Sequence, residues 1–180
     1  MESLELVDRT NTNVATEELI IKKSKFIAKV YYINSQEQAE EIIAKAREEY
    51  KDARHVVDAY TLKSSGRFTD DKEPQGTAGK PIYSLLEKEN VINTLIIVIR
   101  YFGGILLGAG PLTRAYSTVA KEALAKCEKQ KYIEYTNKTL ECEYKEEEQT
   151  IRTLKQQGCV IENIIRTDKV TIEYLEPKGI

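Results

Sequence analysis

The sequence predicts an α+β protein in two parts, an N-terminal domain over residues 1–130 and a small C-terminal module over 131–180. Three observations carry this reading. A length of 180 residues suits one principal domain and one small satellite. Through the first part, strand-like apolar runs alternate with segments of helical period. The last fifty or so residues change to short alternating strands around a single amphipathic helix.

The elements follow in order. Leu19-Ile20-Ile21 and Phe26 to Tyr32 read as two strands around the polar turn Lys22-Lys23-Ser24-Lys25. Ser35 suits a helix cap, Gln38 stands where a capping box needs it, and Ala39, Ile42, Ile43, Ala46 and Tyr50 recur at helical spacing. His55 to Leu62 reads as a strand. Lys63 to Lys80 has glycines, Pro74 and no apolar period, which predicts an ordered loop. Pro81 suits the first turn of a short helix bearing Leu85 and Leu86. Thr94 to Ile99 is continuously apolar, as in a strand buried on both faces. After a glycine-rich turn, Pro111 opens a helix whose Leu112, Ala115, Val119 and Ala123 share a face, continuing towards Lys129. The tail reads βαββ: a strand at Leu140 to Tyr144, a helix over 146–157 ending at Gly158, and two more strands. Such a small sheet is expected to dock one face on the first domain or on another chain, a route to oligomers.

Composition narrows the function. Apolar residues at 41% and charged residues at 31% exclude a disordered chain or a coiled coil. With 27 basic and 29 acidic side chains, the net charge of −2 gives no global field for nucleic acid, so any such binding needs a local patch. The longest aliphatic run, Leu95 to Ile99, is far short of the roughly 20 residues that span a bilayer, and Met1 to Glu5 lacks a basic signal-peptide start. A cytoplasmic protein without a membrane partner is expected. Cys127, Cys142 and Cys159 are widely spaced with no C-x-x-C, which predicts reduced thiols and neither a disulfide frame nor a zinc site.

Two segments carry candidate chemistry. Arg100 to Tyr116 runs from a buried strand through Gly103, Gly104, Gly108 and Gly110 into a helix, where N–H groups and the helix dipole favour an anion and Arg100 and Arg114 add charge. The alternative is a tight strand-to-helix turn with Arg114 in solvent. Gly108 to Thr113 lacks the last glycine of G-x-G-x-x-G, and neither glycine stretch completes a P-loop, so ATP and NAD are discounted and no cofactor is expected. The second segment, Phe68 to Lys80, places Asp70, Asp71 and Glu73 within four positions and contains Gly76, Thr77 and Gly79. These acids suit a hard cation, a general base, or ordinary turn hydrogen bonding. His55 is the one histidine, so a cluster of several histidines cannot form within the chain, and any nucleophile–histidine pair would use it. Its alternative is a structural role.

At these residues the chain resembles the YigZ/IMPACT family. The resemblance rests on Lys22-Lys23-Ser24-Lys25-Phe26-Ile27-Ala28, Asp52-Ala53-Arg54-His55 with Ala59-Tyr60, the Asp70-Asp71 to Gly79 loop, Arg100 to Gly104, Leu107-Gly108 and Leu112 to Tyr116. It implies a βα domain like the second domain of ribosomal protein S-five and a C-terminal ferredoxin-like module like the last domain of elongation factor G. Both analogies point to translation or RNA. The resulting expectation is a non-enzymatic cytoplasmic binding protein linked to translation regulation, taking RNA phosphate or a ribosome-associated partner. Arg54, Lys80, Arg100 and Arg114 would contact phosphate, with the loop at Gly76, Thr77 and Gly79 alongside. The alternatives are a metal-assisted hydrolase of phosphoesters or peptides, using Asp70, Asp71, Glu73 and His55, and a protein-interaction module.

Overall fold

A computed structural model describes residues 2–10 and 12–179, which form two compact units, Met1–Tyr132 and Ile133–Ile180. Ten strands and four α-helices follow in chain order among these residues. They are β1 (Leu4–Leu6), β2 (Asn13–Ile21), β3 (Ser24–Tyr32), α1 (Gln36–Glu49), β4 (His55–Thr61), β5 (Gly66–Thr69), α2 (Gly79–Lys88), β6 (Thr94–Tyr101) and α3 (Ala109–Ala125), then β7 (Lys129–Lys131), β8 (Tyr135–Cys142), α4 (Glu147–Gln156), β9 (Val160–Arg166) and β10 (Val170–Pro177).

The first unit is built on a five-stranded sheet in the order β2-β3-β6-β4-β5, antiparallel at every pairing. Strand alternation sorts β6 onto two cores. Leu95, Ile97 and Ile99 pack with Ala39, Ile43 and Ala46 of α1 on one face, while Ile96 and Val98 pack with Ile82 and Leu86 of α2 and Ala115 and Val119 of α3 on the other. The continuous apolar run of β6 therefore reflects helices on both faces of an antiparallel sheet. Helix α1 starts as its sequence suggests: Ser35 Oγ accepts the Gln38 N–H at 3.2 Å, and the Gln38 side chain returns to the Asn34 N–H at 2.8 Å.

The structure departs from the sequence reading at four places, one of them the strand read at Leu140 to Tyr144, which runs Tyr135–Cys142 and is followed by a 3-10 turn over Tyr144–Glu146. The segment read as loop contains β5, whose Gly66 to Thr69 pair with Thr61 to Asp58; an exposed edge strand needs no apolar alternation, so none was present to detect. Helix α3 begins at Ala109, two residues before Pro111, and ends at Ala125, after which Lys129–Lys131 pair with Leu4–Leu6. Strand β2 extends back to Asn13.

In the second unit, β8-β10-β9 form an antiparallel sheet with Leu154 of α4 packed among Val170, Ile172 and Tyr174. A bulge in the β9–β10 pairing puts Ile161 and Ile164 on the same buried side. The three cysteines are free thiols. No helix of the described residues is long and apolar enough to cross a membrane.

Candidate functional site

The two candidate segments meet at one end of the first unit's sheet. Phe26, Arg100 and His55 form one cross-strand row on β3, β6 and β4, beneath Tyr116 of α3. The hollow between them is filled from within. Glu73, buried at 8% exposure, reaches into it and accepts hydrogen bonds from Arg100 Nη1 at 2.5 Å and Tyr116 Oη at 2.8 Å. Its other oxygen lies 3.6 Å from His55 Nε2. Arg100 is 5% exposed, with its guanidinium over the rings of Phe26 at 5.4 Å and Phe102 at 5.7 Å. Burial, and then the neighbouring Glu73 carboxylate, push the Tyr116 hydroxyl's pKa above its ordinary value, so it serves as a donor.

This overturns the expectation that Arg100 contacts an external phosphate: the anion it neutralises is Glu73 of its own chain. The other loop acids are also engaged by the protein. Asp70 occupies the anion position at the start of α2, accepting the N–H groups of Gly76 at 2.8 Å, Ala78 at 3.1 Å and Gly79 at 2.8 Å. Asp71 accepts the Val56 N–H at 2.7 Å, and its carbonyl accepts from His55 Nδ1 at 2.6 Å. Thr77 Oγ1 bonds to the Pro74 carbonyl. The three carboxylates thus diverge to three separate sets of partners, and among the described residues no group of three or more His, Cys, Asp or Glu side chains could hold a metal. Asp70, Asp71, Glu73 and His55, the residues of the hydrolase alternative, are therefore all engaged with groups of their own chain.

Two glycines expected to admit a ligand admit backbone instead. A Cβ on Gly103 would lie 2.1 Å from the Lys23 carbonyl carbon, and one on Gly79 would lie 2.2 Å from the Thr69 oxygen. Gly103 also donates its N–H to Ser24 Oγ at 3.2 Å. Gly108, at φ 82°, turns the chain into α3, whose start has no side-chain cap. Gly104, Gly108 and Gly110 are exposed, as are Arg54, Lys80 and Arg114.

A second charged cluster lies on the opposite face of the sheet. Asp58 is fully buried, with Arg47 Nη2 of α1 at 3.3 Å from Oδ1, while Oδ2 has no hydrogen-bond partner. Arg47 also reaches Asp71 at 3.6 Å, tying α1 to the acidic loop. Desolvation raises the Asp58 pKa above 3.8, and Arg47 offsets this only in part. A raised native pKa means that the stabilising effect of the protonated group is complete below 3.8 and is lost as pH rises through the raised value. Asp58→Asn should abolish that fall, so its stability relative to wild type should grow with pH across this window. Urea midpoints from pH 4 to 7 measure it, and parallel curves for the two proteins would reject the assignment.

What stays open is a groove between α2 and α3. Its lining includes Arg114, Lys121 and Lys88, the hydroxyl residues Ser84, Thr113 and Ser117, and one carboxylate, Glu89. Among the described residues the three cations have no carboxylate partner. Of these residues the sequence reading named Arg114. The signal for the others was available: Arg114, Ser117 and Lys121 stand at i, i+3 and i+7, as do Pro81, Ser84 and Lys88.

Comparison with known proteins matches residues 22–124 to the Impact N-terminal domain. The chain is 39% identical over 129 residues to IMPACT family member YigZ of Escherichia coli K12, covering 69% of this chain and 63% of that protein. It is 39% identical over 110 residues to IMPACT family member YvyE of Bacillus subtilis 168, covering 59% and 51%. The matched regions thus span between half and two thirds of those relatives' lengths. A crystal structure described as a hypothetical protein superposes with a TM-score of 0.71 at 33% identity, covering 98% of this chain and 86% of that one.

Proposed function

Because the chain belongs to the IMPACT family, we propose that it is a cytoplasmic, non-enzymatic binding protein acting in translation regulation, and that it holds RNA phosphates in the α2–α3 groove. The proposal includes the likeness of the first unit to the second domain of ribosomal protein S-five and of the second to the last domain of elongation factor G. It also includes a partner or second copy docking on the C-terminal sheet.

The observation that carries the RNA reading is the groove's chemistry. Three cations without a carboxylate partner among the described residues and three hydroxyl residues line the groove from two helices, with a single carboxylate beside them. Such a lining neutralises backbone phosphates and hydrogen-bonds to their oxygens without reading bases, so the binding is expected to be shape-led and strongly salt-dependent. Arg114 is the member with a planar fork suited to phosphate. The net charge of −2 is no obstacle, because the cations are local to the groove.

The test is a titration of single-stranded and hairpin RNA at several salt concentrations. Arg114→Ala with Lys121→Ala should weaken binding by about tenfold and make the log–log salt slope shallower by roughly 1.4–1.8, the value of two lost phosphate contacts. Unchanged affinity and slope would reject the groove as the phosphate site.

A further inference from the structure

The turn between β6 and α3 carries a feature that the groove does not use. Phe102, Ile105 and Leu106 are exposed at 44%, 44% and 83%, forming an apolar tip. Both ends of the tip are held. Gly103 packs directly on the Lys23 backbone and bonds to Ser24 Oγ, while Leu107 is buried at 6% and Gly108 accepts the Leu112 N–H at 3.0 Å. An apolar surface fixed in this way loses little conformational freedom on docking.

Its rim is basic. The packing of Gly103 on Lys23 sets the β2–β3 turn beside the tip, and that turn presents Lys22 and Lys23, both exposed and without a carboxylate partner among the described residues. The acids of the loop at this end of the sheet are engaged within the chain: Asp70 by backbone amides, Asp71 by the Val56 amide and Arg47, and Glu73 by Arg100 and Tyr116, while Glu18 beside the turn pairs with Lys25.

From this charge complementarity we propose that the Phe102–Leu106 tip, with Lys22 and Lys23, is a docking site for an acidic, apolar segment of a partner protein. Apolar side chains of the segment cover Ile105 and Leu106, and its carboxylates meet the two lysines. Base stacking fits less well: Ile105 and Leu106 have no aromatic face, and the Arg100 guanidinium lies over the Phe102 ring at 5.7 Å. A lipid surface fits less well too, because the apolar contribution is one short turn with no amphipathic helix behind it.

The experiment uses the full chain and fluorescence anisotropy of a labelled peptide with leucines at i, i+3 and i+4 and glutamates elsewhere. The same peptide with lysines in place of glutamates is the control. The acidic peptide should bind and the basic one should not. Leu106→Ser, or Lys22→Glu with Lys23→Glu, should weaken binding by about tenfold, whereas Arg114→Ala should leave it unchanged. Leu106 is nearly fully exposed, so Leu106→Ser should fold as wild type, which circular dichroism checks. No binding, equal binding of both peptides, or indifference to Leu106→Ser would overturn the proposal. So would tip-dependent binding to anionic phosphatidylserine vesicles or RNA in place of peptide, or a concentration-dependent dimer abolished by Leu106→Ser. The readout is independent of the groove, so its failure and failure of the RNA proposal are separable.

Discussion

Glu73→Ala is expected to lower the stability of the first unit by about 3–5 kcal/mol, the cost of leaving one partner of a buried ion pair uncompensated. Arg100 is 5% exposed and its Nε already lacks a partner, so loss of Glu73 strands a full charge that water cannot easily reach. The Tyr116 hydroxyl loses its acceptor in the same step. Domains are stabilised by only about 5–15 kcal/mol, so a loss of this size should be plain in urea denaturation. Arg100→Ala should also destabilise strongly, because Glu73 then stays buried without its cation. Changing both together, Glu73→Leu with Arg100→Met, should recover most of the loss, since apolar residues of similar volume commonly replace a buried pair at little cost. A single variant as stable as wild type would show that the pair contributes nothing. Reduced RNA affinity in a well-folded Arg100→Met, Glu73→Leu protein would return Arg100 to the list of phosphate contacts.

Asp70→Ala should cost about 2–6 kcal/mol, because the buried N–H groups of Ala78 and Gly79 lose their acceptor at roughly 1–3 kcal/mol each. The vacated position is the positive end of α2, which suits a small anion. Sulfate should therefore recover more stability in this variant than in wild type, where Asp70 already fills the place. Asp70→Asn retains one acceptor oxygen and should lie between the two. Thermal denaturation with and without sulfate measures all three, and equal sulfate effects would mean that Asp70 does not substitute for an external anion.

These two residues show how the sequence misdirects. Carboxylates close together beside glycines and arginines resemble a metal or phosphate site, yet here the carboxylates are the anions that the arginine and helix end require. The neighbouring residues were correctly grouped, since the acidic loop and the Arg100 to Tyr116 segment do meet. Their direction was not legible. A side chain that turns inward and one that faces solvent share the same letter, and the difference depends on contacts across 27 residues for Glu73 and Arg100 and 43 for Glu73 and Tyr116. Arg114 is the converse case: its i, i+3, i+7 stripe is local, so its exposure on α3 followed from helical period alone.

The sequence by itself determined the order and type of the main elements, the double burial of β6, the capped start of α1 and the family. All of these depend on local period, capping chemistry or motif order, which are written in adjacent residues. Tertiary structure alone decided that β5 and β7 exist as strands, that Glu73 closes the hollow, and that a basic groove opens between α2 and α3. Edge strands gain their hydrogen bonds from distant partners, and a buried charge is settled by whichever opposite charge the fold carries to it. That pairing is a property of the assembled sheet and helices, invisible in any short stretch of chain.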